Sequence, residues 1–302
     1  KHIPERILGN FKLPGLDLLD SPPSVEERKI KDNLELSSKI LEETLGDFGV
    51  EARVVRVEQG PVITRYELEP AAGVKVNKIT TLSDDISLAM KAQSVRIVAP
   101  IPGKGTVGVE VPNTSTELVY LKDVLSSDEF QKSDYRLTLA LGKDISGKAV
   151  ITDLASMPHL LIAGTTGSGK TVCVNTLILS LIFRYTPEEI KFLMVDPKMV
   201  ELAVYNGMPH LICPVVTEAK KVQGALNWVV NEMEERYRLF AKIGARNIDA
   251  YNEKIKSLNA PEDAVPKKLP YIIVIIDELA DLMAIAQANI ENAIMRLAQL
   301  SR

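Results

Sequence analysis

One run of eight residues restricts the folds open to this chain more than any other feature. Gly164-Thr165-Thr166-Gly167-Ser168-Gly169-Lys170-Thr171 carries three glycines and ends on a lysine and a hydroxyl residue. Leu160-Leu161-Ile162-Ala163 leads directly into it, and Val174, Leu177, Ile178, Leu181 and Ile182 follow at helical spacing. The pattern predicts a strand over 159–163, a tight loop and then a helix. Backbone N–H groups can wrap a polyphosphate only where side chains are small and positive φ is tolerated, and Gly164, Gly167 and Gly169 meet that need. The free N–H groups and dipole of a helix start favour an anion. Lys170 is then placed to meet the β- and γ-phosphates, and Thr171 to offer its hydroxyl to a magnesium ion. A chance match in a glycine-rich turn would lack the strand before and the striped helix after. A dinucleotide-binding turn would give Lys170 and Thr171 no role. The residues from Gly164 to Thr171 are therefore the nucleotide-binding set, with ATP and Mg2+ as the expected ligands.

A second apolar run, Tyr271-Ile272-Ile273-Val274-Ile275-Ile276, ends in Asp277-Glu278. Carboxylates at the C-terminal end of a parallel strand face the crevice in which α/β sheets bind ligands. Asp277 is the expected magnesium-supporting acid, and Glu278 the group that orients or deprotonates the attacking water. Lys170, Asp277 and Glu278 form the expected catalytic set, with Thr171 and Asp277 on the metal. An acidic helix cap is the bland alternative for the pair, and the phosphate loop upstream disfavours it. An adjacent Asp-Glu also argues against small GTPases, which position water by other means.

Near-continuous Ile/Val/Leu runs at 159–163, 192–195, 211–216 and 271–276 alternate with long amphipathic segments, the pattern of a buried parallel sheet with covering helices. The two runs between phosphate loop and acid pair suggest, by fold analogy, the RecA-like branch of P-loop NTPases. Ahead of them, 25–135 reads as a small α+β domain. It has a helix from Ser24 to about Leu45, strands near 50–57, 62–68, 95–99 and 108–111, and a short helix over 82–91. Residues 1–24 are rich in proline and glycine and read as an arm or linker. The domain 136–302 is expected to be truncated on its C-terminal side, because 293–300 reads as an unfinished helix.

A net charge of -4 rules out holding nucleic acid by diffuse attraction, so basic contacts to it must be local. The two cysteines, Cys173 and Cys213, read as free thiols. No apolar run reaches the length of a spanning helix, and the first residues carry no signal-peptide core.

Several strings go beyond a generic phosphate loop. Met157-Pro158-His159 running into the loop, Asp196-Pro197-Lys198-Met199-Val200-Glu201-Leu202 and Asp277-Glu278-Leu279-Ala280-Asp281-Leu282-Met283 resemble the FtsK/SpoIIIE family of DNA translocases. Asn231-Glu232-Met233-Glu234, Arg236-Tyr237, Ala245-Arg246-Asn247 and Tyr251-Asn252 are similar to family strings, as are Tyr66-Glu67-Leu68 and Gly73-Val74-Lys75-Val76 upstream. The resemblance spans about 30–302, with Glu235 standing where a basic residue is expected. It implies an ATPase motor that encircles double-stranded DNA as a homo-hexamer ring and acts in chromosome segregation at division or sporulation. It also implies a place at the cytoplasmic face of the bacterial membrane, reached through an N-terminal region outside this chain, and a C-terminal winged-helix part and later motor strands, also outside it. A secretion or conjugation ATPase of the same superfamily, a nucleotide-gated scaffold without turnover and a small-molecule kinase are the rival readings.

Such motors need an arginine aimed at a neighbour's γ-phosphate, worth about 10³–10⁵ in rate. Arg246, just past a helix end at Gly244, is the first candidate and Arg236 the second. Each reads equally as an ordinary surface or ion-paired arginine. Tyr205, Asn206 and the turn after Glu201 are candidates for contact with DNA. Trp228, the only tryptophan, lies among apolar neighbours and reads as core.

Overall fold

The computed structural model describes residues 11–23, 33–257 and 267–301. The helix start expected at Ser24 lies outside them. Two compact units emerge, Leu16–Thr152 and Asp153–Arg302, the latter joined by the segment before Leu16.

In the first unit, helix α1 (Leu34–Asp47) begins where the Asn33 side chain accepts from the Leu36 N–H at 3.1 Å. That bond satisfies one of the orphan donors of a helix start. Strands β1 (Ala52–Gln59) and β2 (Ile63–Pro70) pair antiparallel with a bulge between Val54 and Arg56. Helices α2 (Val76–Thr80) and α3 (Ser83–Ala89) follow, then β3 (Arg96–Val98) and β4 (Val107–Pro112). The sheet order is β1-β2-β4-β3. Alternation along β2 sends Tyr66 and Leu68 into a core with Leu41, Leu45, Ile79, Ile86, Val107 and Val109. The intervening Arg65 and Glu67 face the other way, and they are paired with Glu110 and Lys104.

The unit continues through α4 (Leu121–Leu125), α5 (Asp128–Gln131) and the two-stranded sheet of β5 (Thr138–Lys143) and β6 (Ala149–Asp153). The sequence pattern puts this hairpin at the head of the second domain, whereas it clusters with the first unit. Lys143 bonds Asp123 of α4 at 3.0 Å, and a Cβ on Gly60 would run into the Ile145 carbonyl, so the hairpin turn lies tight against the β1–β2 connection.

The second unit holds the parallel pair β7 (Ile190–Val195) and β8 (Tyr271–Ile276), in register from Ile190↔Tyr271 to Val195↔Ile276. Residues 211–216 run beside β7 and touch it through parallel bridges at Phe192↔Leu211 and Val195↔Val216. They do not form a full ladder, and Pro214 in their middle has no N–H to give. Helices α6 (Lys170–Ile182), α7 (Ala219–Ile243), α8 (Ile248–Ser257) and α9 (Leu279–Leu300) surround these strands. Helix α7 buries Val222, Leu226 and Val230 against Leu282, Ile290 and Ala293 of α9, while Tyr237 nearer its C-terminal end stays 45% exposed. Gly244 closes α7 at φ 67, a left-handed cap that a side chain would resist.

The strand expected over 159–163 is not formed. These residues join no ladder, and Leu161 is 84% exposed. An apolar run becomes a strand only through ladder partners, and none of the described residues pairs with this one. Cys173 and Cys213 are free. Among the described residues, no helix is long and apolar enough to cross a membrane.

Candidate nucleotide site

The loop from Gly164 to Gly169 is exposed and bends where glycine is required. Gly167 and Gly169 hold φ of 80 and 92, and Gly169 is the cap from which α6 departs. A Cβ on Gly164 would collide with the Ser168 hydroxyl, so the loop closes on itself there. Its turn is drawn by the Ser168 N–H donating to the Thr165 carbonyl at 3.0 Å. Lys170 and Thr171 open α6, so their side chains are fixed by the first turn of a helix rather than by a loose loop.

The acid pair lies just past the end of β8, whose register with β7 is held by the Asp277 N–H donating to the Val195 carbonyl at 3.1 Å. The Lys170 ammonium meets it directly. Nζ donates to a Glu278 carboxylate oxygen and to the Asp277 carbonyl, each at 3.1 Å, and lies 3.8 Å from the Asp277 carboxylate. The phosphate loop and the end of β8, 107 residues apart in sequence, thus share one site. The hydrogen bond to Glu278 raises the Lys170 pKa, and the Asp277 charge adds to the effect. Burial pushes the Asp277 pKa up, its side chain being 7% exposed, and Lys170 opposes this. The Asp196, Glu201 and Glu278 carboxylates push it further in the same direction as burial.

Three residues not singled out as site groups from the sequence belong here. Asp196, fully buried, accepts from the backbone N–H groups of Lys198, Glu201 and Leu202 at 3.1, 3.0 and 3.0 Å. It thereby folds the 196–202 segment into a fixed loop. From that loop Glu201 accepts the Thr171 hydroxyl at 3.0 Å, and Lys198 pairs with Asp281 of α9 at 3.1 Å. An Asp directly after a strand and two residues before an N–H it can accept is an Asx-turn signal, legible in principle from Asp196-Pro197-Lys198.

The remaining candidates are placed apart from this cluster or are occupied. Arg236 is held by Glu232 at 2.8 Å and by the Pro270 carbonyl at 2.7 Å. Arg246 is exposed just beyond Gly244. The Tyr205 hydroxyl donates to Asn175 of α6 and the Asn206 side chain accepts from the Val215 N–H, so both have internal roles.

A glycine loop opening a helix, with its lysine on an acid pair at the end of a parallel strand, defines a P-loop nucleotide-binding protein of the α/β class. Comparison with known proteins narrows this. The model of the FtsK/SpoIIIE family matches residues 120–302, more than half of the chain, and that of the FtsK alpha domain matches 13–113. The chain belongs to the FtsK/SpoIIIE family. It is 55% identical over 295 residues to the DNA translocase FtsK of Clostridium tetani, covering 97% of this chain and 39% of that protein. It is 52% identical over 293 residues to the DNA translocase SpoIIIE of Bacillus subtilis, covering 97% and 37%. The chain therefore spans less than two fifths of the length of these relatives. A solved structure of the pCW3 conjugation coupling protein TcpA, in its monomer form with ATPγS, shares the fold. Its TM-score is 0.51 at 20% identity, over 88% of this chain and 74% of that one.

Proposed function

We propose that this chain is the motor segment of an ATP-driven translocase of double-stranded DNA, acting in chromosome segregation at cell division or sporulation. The observation that carries the reading is the Lys170 ammonium, 3.1 Å from both Glu278 and the Asp277 carbonyl, which ties the phosphate loop to the acids. The relatives' name, DNA translocase, supports the substrate.

The chemistry follows from the side chains. Triphosphate on the 164–171 loop draws Lys170 away from Glu278, because a polyanion outcompetes a single carboxylate for the ammonium. Glu278, half-exposed and released from its partner, is then free to orient a water molecule and accept its proton. A hydroxyl and a buried carboxylate are the partial oxygen set that suits Mg2+, an ion held largely by phosphates and water. Thr171 and Asp277 would hold it there, where it would neutralise charge on the phosphates. Arg246 is the arginine offered to a neighbouring subunit's nucleotide in a ring of six. Using Arg236 would cost its two existing bonds. Attachment to the cytoplasmic face of the cell membrane, reached through a region outside this chain, belongs to the same proposal.

The test is ATP hydrolysis by the chain with and without linear duplex DNA, with particle mass measured in the same buffer. Duplex should stimulate turnover. Glu278→Gln should lower turnover about 10²-fold or more while nucleotide still binds. Unchanged turnover in that variant, or indifference to duplex, overturns the reading.

A further inference from the structure

Glu201 has no part in the chemistry above, yet it is built into the site. Its backbone N–H is pinned to Asp196 at 3.0 Å, and its carboxylate accepts the Thr171 hydroxyl at 3.0 Å. The loop that presents it is not a relaxed one. Met199 sits at φ 58, a left-handed conformation costly for a side chain that is neither Gly nor Asn, and the Asp196 bonds on both sides of it hold it there. A backbone held under strain to deliver one carboxylate to the hydroxyl of the phosphate-loop helix needs a reason beyond solubility.

Charge supplies the reason. Lys170 and Thr171, adjacent at the start of α6, reach the acids on both sides: Lys170 meets Asp277 and Glu278, and Thr171 meets Glu201. Against these acids stand Lys170 and Lys198, the latter also paired with Asp281 at 3.1 Å. Asp196 is screened by the three N–H groups it accepts. Glu201 is the added negative charge on the side from which the Thr171 hydroxyl reaches out. A bare triphosphate entering there meets carboxylates it repels, whereas a triphosphate carrying a divalent cation meets carboxylates that attract the cation.

We propose that Glu201 is a positioning residue that makes nucleotide binding dependent on a divalent cation: it fixes the Thr171 hydroxyl and penalises a triphosphate arriving without the metal. The proposal rests on the nucleotide-site reading above. Glu201 accordingly discriminates between free and metal-bound triphosphate before any bond is broken.

The experiment measures the Kd of ATP by titration calorimetry, once with Mg2+ and once with EDTA, for the unaltered chain, Glu201→Gln and Glu201→Ala. Glu201→Gln keeps an oxygen for Thr171 and removes only the charge. Its ratio of the EDTA to the Mg2+ Kd should fall by on the order of tenfold, the effect of one charge near a polyanion at partly screened distance. Glu201→Ala should show at least the same fall, and if it does not fold, Glu201→Gln decides alone. A purely structural role would weaken both affinities together and leave the ratio intact. An unchanged ratio in Glu201→Gln, including the case in which only Glu201→Ala changes it, overturns the role of Glu201 while leaving the nucleotide site standing. If the unaltered chain binds no ATP in Mg2+, the nucleotide site and this inference fall together.

Discussion

Replacing Asp196 by alanine tests whether the 196–202 loop is held as described. The carboxylate is fully buried and accepts three backbone N–H groups. The Leu202 N–H belongs to a fully buried residue, so deleting its acceptor leaves a donor that water cannot reach, a loss of about 1–3 kcal/mol. The Lys198 and Glu201 amides are half-buried and recover much of their bonding from water, adding on the order of 1 kcal/mol together. Relief from burying a charge offsets part of this. The net loss is about 2 kcal/mol, or about 4–8 °C in Tm for a unit of this size. Trp228 is the only tryptophan and lies on α7, so its fluorescence reports unfolding of the second unit alone. Asp196→Asn, which retains one acceptor oxygen, should lose about half as much. If Asp196→Ala unfolds within about 0.5 kcal/mol of the unaltered chain, the loop is not held by this carboxylate, and the placement of Glu201 loses its foundation.

Two further outcomes follow from the site. Gly164→Ala should weaken ATP binding by about tenfold or more, because its Cβ would meet the Ser168 hydroxyl, and adding Ser168→Gly should restore much of the loss; undiminished binding by Gly164→Ala alone would show that the loop can open there. Burial raises the Asp277 pKa above 3.8, so ionising its carboxylate costs the folded chain more than the unfolded chain. The corresponding stability is fully present below 3.8 and is lost as pH rises through the folded value. Asp277→Asn should therefore be more stable than the unaltered chain at pH 7, by Trp228 fluorescence in urea, with the difference closing toward pH 4; lower stability at pH 7 would mean that Lys170, not burial, dominates Asp277.

What was legible in the sequence is what local chemistry dictates. The glycines of the phosphate loop and the apolar runs of β7 and β8 each answer to a short-range rule, and the structure places them as those rules require. The meeting of Lys170 with Asp277 and Glu278 was legible because both motifs belong to one known chemistry. The run at 159–163 shows the limit. Its residues fit a strand, but strands are made by partners, and the register of partners is not written in the run itself. Glu201 was overlooked for a related reason. Among the 40 acidic residues of the chain, nothing local distinguishes it, and only the folding of its loop by Asp196 brings it to Thr171. Arg236 was misleading in the opposite way, since its partner Glu232 stands four residues earlier on the same helix and could have been read from spacing alone.

The parallel register explains how one sheet edge provides both an anchor and a reactive acid. Val195 pairs with Ile276, so the next residue on each strand is an aspartate, and the two emerge side by side. Their surroundings then separate them. Asp196 turns back onto its own chain and spends its charge on three N–H groups, which makes it architecture. Asp277 remains buried beside a lysine 3.8 Å away with its proton affinity raised. Two aspartates at equivalent strand ends thus take different parts: one builds the loop that carries Glu201 and Lys198, and the other stays beside Lys170.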